Sequence, residues 1–146
     1  MKKQIVRNKF KVWPPNKKLE KRMYFLTMYN LSGIQKGIQC GHAALRYALK
    51  YKRNPEIWDF IKNHETWIIL SGGGSKDMES HWKKFQSLGV RCEKFHEPDL
   101  NGSLSAICLI VDERVFSKNY DGAAISFNKD LFELREFLKN FNLASN

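Results

Sequence analysis

The chain has 146 residues, 42% hydrophobic and 13% aromatic, which is enough for one domain with a real core, and no run approaches the ~18 apolar residues of a membrane span. Its formal net charge is +10, yet nine Lys and Arg with a single acid, Glu20, fall in residues 1–22, while the rest of the chain carries 16 basic and 14 acidic side chains. The body is therefore almost neutral, and the excess sits in an N-terminal arm that is either a phosphate-neutralising contact for RNA or a solubilising terminus.

The basic start is not followed by an apolar run, so no secretory signal is expected and the protein reads as soluble and cytoplasmic. Phe10, Val12 and Trp13 before Pro14-Pro15 predict that part of the 1–22 arm docks on the 23–146 domain, the alternative being that Trp13, near basic residues, stacks on a base. Residues 23–29 form an apolar run that predicts a first strand, residues 30–33 a turn, and residues 34 to about 52 a helix. On that helix Ile34, Ile38, Gly41, Leu45, Ala48 and Leu49 share one arc, expected to pack on a sheet, and Gln35, Gln39 and Arg46 line up beside it. Ser32 or the Gly33 turn caps its start, which leaves first-turn N–H groups aimed at the end of the strand. Asn54-Pro55-Glu56 reads as N-cap, N1 proline and first-turn acid of a second helix that buries Ile57, Trp58, Phe60 or Ile61. The run over 66–70 predicts a strand covered on both faces.

Ser71-Gly72-Gly73-Gly74-Ser75 is a strand-to-helix turn that only weakly suggests a phosphate cradle, since the Gly-x-x-x-x-Gly-Lys-Ser/Thr pattern is absent. A helix over 76–88 should bury Met78, Trp82 and Phe85 and stop at Gly89. A third strand over 90–96 leads to a turn holding Pro98 and Asn101-Gly102, and the most apolar strand, 105–111, is expected to be central. Asp99 and Ser103 then fall at a sheet edge. Residues 112–127, with Tyr120-Asp121-Gly122, read as an insertion that is a hairpin, a lid or a partner surface. A final helix over 129–141 repeats apolar residues at Leu131, Leu134, Phe137 or Leu138, and Phe141, and residues 143–146 read as a frayed end. The order predicts a compact α/β three-layer sandwich, a mixed sheet of about four strands with helices on both faces. Cys40, Cys92 and Cys108 read as buried thiols, and the set Cys40, His42, Cys92 and His96 matches no zinc spacing, so no metal is expected.

Gln39-Cys40-Gly41-His42-Ala43-Ala44, in the first helix after a first strand, resembles the Q-C-x-H-A signature of the type-2 peptidyl-tRNA hydrolases. The order of elements is similar over residues 24–141, and the run Ile34-Gln35-Lys36-Gly37-Ile38-Gln39 looks like a divergent branch that includes bacteriophage-encoded members. In that family an Asp followed four residues later by Thr lies in the turn before the last strand and belongs to the active site; Asp99 and Ser103 match that spacing, with Ser in place of Thr. The family's catalytic Lys stands four residues before the signature Gln, where this chain has Gln35 and places Lys36 one residue later.

The resemblance implies hydrolysis of the ester joining a peptide to the 3′ end of tRNA, with no metal or organic cofactor, and a homodimer as in many members. Such a reaction needs a positioned water, an acceptor for its proton and donors for the oxyanion. Asp99 is the candidate base, Ser103 orients it or binds the ribose, and Gln39 holds ester or water. Lys36 and the first-turn N–H groups are candidate oxyanion donors, and His42 is either a general base or a structural hydrogen-bonding residue. Lys17, Lys18, Lys21 and Arg22, with Gln35 and Arg46, are the RNA-facing candidates. Gln35 at the family's Lys position keeps a second reading open, a non-catalytic binder of tRNA or a small nucleotide on the same fold. A third is a protein-interaction module using residues 112–127.

Overall fold

In a computed structural model, which describes residues 19–120 and 129–145, the elements are β1 (Lys21–Met28), α1 (Gly33–Lys50), α2 (Pro55–Asn63), β2 (Trp67–Gly73), α3 (Ser75–Ser87), β3 (Glu93–Glu97), β4 (Ser103–Asp112), a short α4 (Glu113–Phe116) and α5 (Lys129–Leu138). The strands form one mixed sheet in the order β2-β1-β4-β3, with β1 parallel to β2 and antiparallel to β4, and β3 antiparallel to β4. Helices cover both faces, so the expected three-layer α/β sandwich is the architecture found.

The two-residue side-chain period of the central strands divides the core. Met23 and Phe25 of β1, with Ala106, Cys108 and Ile110 of β4, meet Cys40, Ala43 and Tyr47 of α1 and Ile57 and Phe60 of α2. Leu26, Ile107, Leu109 and Val111 point the other way, onto Met78 and Phe85 of α3 and Leu131, Leu134 and Leu138 of α5. β4 is buried from Leu104 to Asp112 and is central, as its apolar run predicts. β2 instead lies at an edge and is only partly covered, with Trp67 exposed. The chain after α5 runs along that edge: Ser71 N donates to the Asn142 carbonyl at 2.9 Å, Ala144 N to the Ile69 carbonyl at 2.9 Å, and Leu143 bridges Leu70. The segment expected to fray therefore closes open strand hydrogen bonds.

Helix ends follow their local chemistry. Ser32 and Gln35 form a reciprocal capping box on α1, and Asn54 caps α2 ahead of Pro55. The face α1 buries is not the one its Ile and Leu residues suggest. Lys36, Gln39, Cys40, Ala43 and Tyr47 face the sheet, while Ile34, Ile38, Leu45 and Leu49 stand in solvent at 80%, 51%, 73% and 67% exposure. Periodicity finds an apolar stripe without choosing which of two stripes meets the sheet; the small residues Cys40 and Ala43 let the helix sit close to it. On α2, Ile57 and Phe60 turn inward, and Trp58 and Ile61 remain substantially exposed.

The glycine run at the end of β2 serves packing. A Cβ on Gly72 would run into Met78 and Leu26, and Gly73 adopts φ 89°. The Asp77 carboxylate accepts from Gly74 N at 2.9 Å, so an internal carboxylate occupies a helix-entry donor that a phosphate cradle would use. Residues 112–120 supply the end of β4, α4 and a 3-10 turn (Lys118–Tyr120), and the rest of the expected insertion, 121–127, lies outside the described residues.

The start of the domain also differs from expectation. β1 begins at Lys21, whose side chain is 1% exposed and whose Nζ lies 2.7 Å from Asp59 Oδ2. Arg22 Nε donates to Glu20 Oε2 at 2.8 Å, and its guanidinium covers the Phe116 ring at 4.1 Å. Both candidate RNA contacts are thus part of the folded body, held by intramolecular partners because the strand pairing reaches them. Lys17 and Lys18, and the docking expected of Phe10, Val12 and Trp13, lie outside the described residues.

Glu56, in the first turn of α2, is buried 3.7 Å from Arg91, and desolvation pushes its carboxyl up to about 7. A carboxyl raised in the fold contributes stability that is complete below its unfolded value near 4.5 and is lost as pH rises through about 7. Between pH 5 and 8 the parent protein should lose about 3 kcal/mol from this group, and Glu56→Gln should flatten that slope in thermal melts.

Candidate functional site

The turn that joins β3 to β4 builds one wall of the site. Pro98 opens a 3-10 turn (Pro98–Leu100), and Asn101 and Gly102, at φ 55° and 73°, reverse the chain in the left-handed conformation that Asn and Gly tolerate best. Gly102 N closes the turn on the Glu97 carbonyl at 3.0 Å, and the Gly102 carbonyl meets His96 Nδ1 at 2.8 Å. The first turns of α1 form the opposite wall. Between them is a cleft of about 180 Å³ lined by Leu31, Gln35, Ile38, Gln39, Glu97, Asp99 and Leu100.

Gln39 is the fixed point of this cleft. It is 4% exposed, its Nε2 donates to Glu97 Oε1 at 2.9 Å, and its Oε1 accepts from the buried Ser105 hydroxyl. The carboxylate of Glu97 can only accept when ionised, so it sets the amide orientation, and one of the two Nε2 hydrogens is left over from that bond. Glu97 Oε2 in turn accepts from Asp99 N at 3.4 Å, which ties the turn carrying Asp99 to the same network. Sequence reasoning passed over Glu97 and Ser105. The available signals were a hydroxyl inside the most apolar strand and a carboxylate directly before the Pro98 turn.

The other candidates are distributed around this centre. Asp99 is exposed on the cleft wall, and Gln35 lines the cleft while also serving in the Ser32 capping box. Ser103 pairs with Glu97 in the β3–β4 register, at the cleft's margin rather than in its lining. His42 is exposed and stacks on Phe95 with ring centres 4.4 Å apart, and Arg46 covers the same ring at 5.2 Å, further along α1. Both are held on β3 away from the lining residues.

Lys36 is not brought into the cleft. Its buried ammonium donates to the Ser145 carbonyl, in the segment that runs along β2, whereas Gln39 reaches β3 and β4 at the other side of the sheet. The helix separates them because residues three apart point about 60° apart around the axis, and these two straddle the line facing the sheet. Lys36→Ala should leave cleft chemistry within about twofold of the parent. Its expected effect is on the C-terminal segment, read as faster amide exchange at Ala144.

Electrostatically the lining residues bring two carboxylates, Glu97 and Asp99, and no basic side chain. Burial pushes the Cys40 and Cys92 thiols up to about 12, so they are protonated, unreactive core groups. No three His, Cys, Asp or Glu side chains converge on a metal-sized site among the described residues, and no described helix is long and apolar enough to cross a membrane. The arrangement can hold a polar group on the Gln39 amide, accept a proton on Asp99, and seat an apolar or flat moiety against Leu31, Ile38 and Leu100. The chain matches no protein-family model and no curated protein.

Proposed function

We propose that the cleft hydrolyses the ester that joins a peptide or acyl group to the 3′ end of tRNA, as in the type-2 peptidyl-tRNA hydrolases the sequence resembles. The observation that carries the reading is the Gln39 amide, fixed by Glu97 and Ser105 beside the exposed carboxylate of Asp99. Asp99 takes a proton from water as its oxygen adds to the ester carbonyl carbon. The remaining Gln39 N–H donates to the oxyanion of the tetrahedral intermediate, which collapses to the free acid and the ribose hydroxyl, the latter protonated from Asp99. Lys17 and Lys18 contribute phosphate contacts in this reading. Deleting residues 1–18 should then weaken tRNA binding and reduce the slope of affinity against salt by about one unit per lost phosphate contact.

One observation favours the second reading, a binder without turnover: the ammonium of Lys36 is engaged by the Ser145 carbonyl, so the residues lining the cleft include no Lys to stabilise negative charge. Single-turnover release of peptide from purified N-blocked peptidyl-tRNA decides between them. Release that scales with protein supports hydrolysis; stoichiometric binding of the same tRNA with no release moves the assignment to a binding protein.

A further inference from the structure

The outer surface of the α1–α2 layer carries apolar and basic side chains and no exposed carboxylate. Both helices lie on the Met23 and Phe25 side of the sheet, so residues turned away from it leave the molecule in the same direction. On that side Leu45 and Leu49 of α1 and Trp58 and Ile61 of α2 are exposed, among the exposed cations Lys50, Lys52, Arg53 and Lys62. The only acids in the two helices are Glu56, which is buried, and Asp59, which is held by Lys21. An ordinary solvated face mixes both signs of charge and turns its large apolar residues inward. We propose that this surface docks peripherally on an anionic lipid bilayer, with Leu45, Leu49, Trp58 and Ile61 entering the interface and the four cations meeting the headgroups.

Charge complementarity and the apolar side chains select the partner together. The boundary between headgroups and acyl chains offers anions and a place for aliphatic groups within about 5–10 Å of depth. A nucleic acid would satisfy the cations and could stack on Trp58, but it would leave Leu45, Leu49 and Ile61 in water. Trp58 is already prepared for an interface. Its Nε1 donates to the Lys52 carbonyl at 2.6 Å, so the ring can leave water without orphaning its N–H, and the same bond holds the indole against the end of α1. Lys52, Arg53 and Lys62 form no ion pair among the described residues, so no intramolecular partner has to be given up for a headgroup. Leu49 lies roughly 20 Å along α1 from Gln35, which leaves the cleft at the other end of the helix open while the surface is docked.

Co-sedimentation of the full chain with sucrose-loaded vesicles reads the contact directly. The parent should bind phosphatidylcholine vesicles containing about one third phosphatidylserine at least about tenfold more tightly than pure phosphatidylcholine, and more weakly as salt rises. Lys52→Glu/Arg53→Glu should lose about tenfold or more of that affinity. Leu45→Ser/Leu49→Ser keeps the net charge and should lose a similar factor, with circular dichroism unchanged because both side chains are mostly exposed. A parent that binds neither vesicle overturns the proposal. Binding that survives the leucine pair overturns it too, and assigns the lipid contact to the basic residues 1–18. Loss of tRNA affinity in Lys52→Glu/Arg53→Glu, in a protein that binds no vesicle, would make the surface an RNA contact instead. These readouts involve no ester cleavage, so they fail or succeed separately from the hydrolysis reading.

Discussion

Asp99→Asn should lower single-turnover hydrolysis of N-blocked peptidyl-tRNA by about 10²–10⁴-fold, the range for removing a positioned general base. The substitution keeps size and shape but leaves an amide that cannot take the water's proton. Because Asp99 is exposed and its carboxylate is not part of the Gln39 network, melting should be unchanged within about 0.5 kcal/mol. A full rate in Asp99→Asn would place hydrolysis elsewhere on the molecule. Gln39→Leu provides the contrasting result. It removes the side-chain bonds to Glu97 and Ser105, leaving the Ser105 hydroxyl on the Phe95 carbonyl and Glu97 on Asp99 N, so it should lower the rate and also cost about 1 kcal/mol of stability. Loss of rate in both variants, with loss of stability only in the second, distinguishes the exposed proton acceptor from the oxyanion donor that is also built into the fold.

Lys21→Met should destabilise the fold by about 3 kcal/mol or more, lowering the melting temperature by roughly 10 °C, while leaving the salt dependence of tRNA binding unchanged. Lys21 is buried against Asp59, and that ion pair, by hydrogen bond first and by charge after it, holds the Asp59 carboxyl below its usual range. Removing the ammonium leaves Asp59 with Asn63 and the nearby His64. A carboxyl depressed in the fold contributes stability that is present above its unfolded value and is lost as pH falls through the folded one. The penalty of Lys21→Met should therefore shrink under acid conditions. The double variant Lys21→Met/Asp59→Leu should recover part of the loss, since an apolar pair avoids the desolvation of both charges. An unchanged melt together with a flatter salt slope would return Lys21 to the arm.

Lys21 shows why a run of basic residues misleads when counted along the chain. Its neighbours Lys17 and Lys18 look the same in sequence, and only strand pairing with Asp112 on β4 and the approach of α2 make Lys21 structural. The C-terminal residues are a similar case. Leu143, Ala144 and Ser145 have no periodicity of their own, and it is the open edge of β2 and the Lys36 ammonium that give them partners.

What the sequence determined by itself was mostly local. Caps at Ser32 and Asn54, the left-handed turn at Asn101-Gly102, the stop at Gly89 and the buried run of β4 all follow from backbone preference and short-range hydrogen bonding, and they suffice to order the α/β elements. The placement of Asp99 on a turn, and of Gln39 on the first helix, was legible for the same reason. Tertiary structure decided which of two stripes on α1 meets the sheet, which side of that helix Lys36 takes, and which buried partners lock Gln39. Those outcomes depend on strand order and on close packing between residues as far apart as Gln39 and Ser105, which a helical period cannot encode.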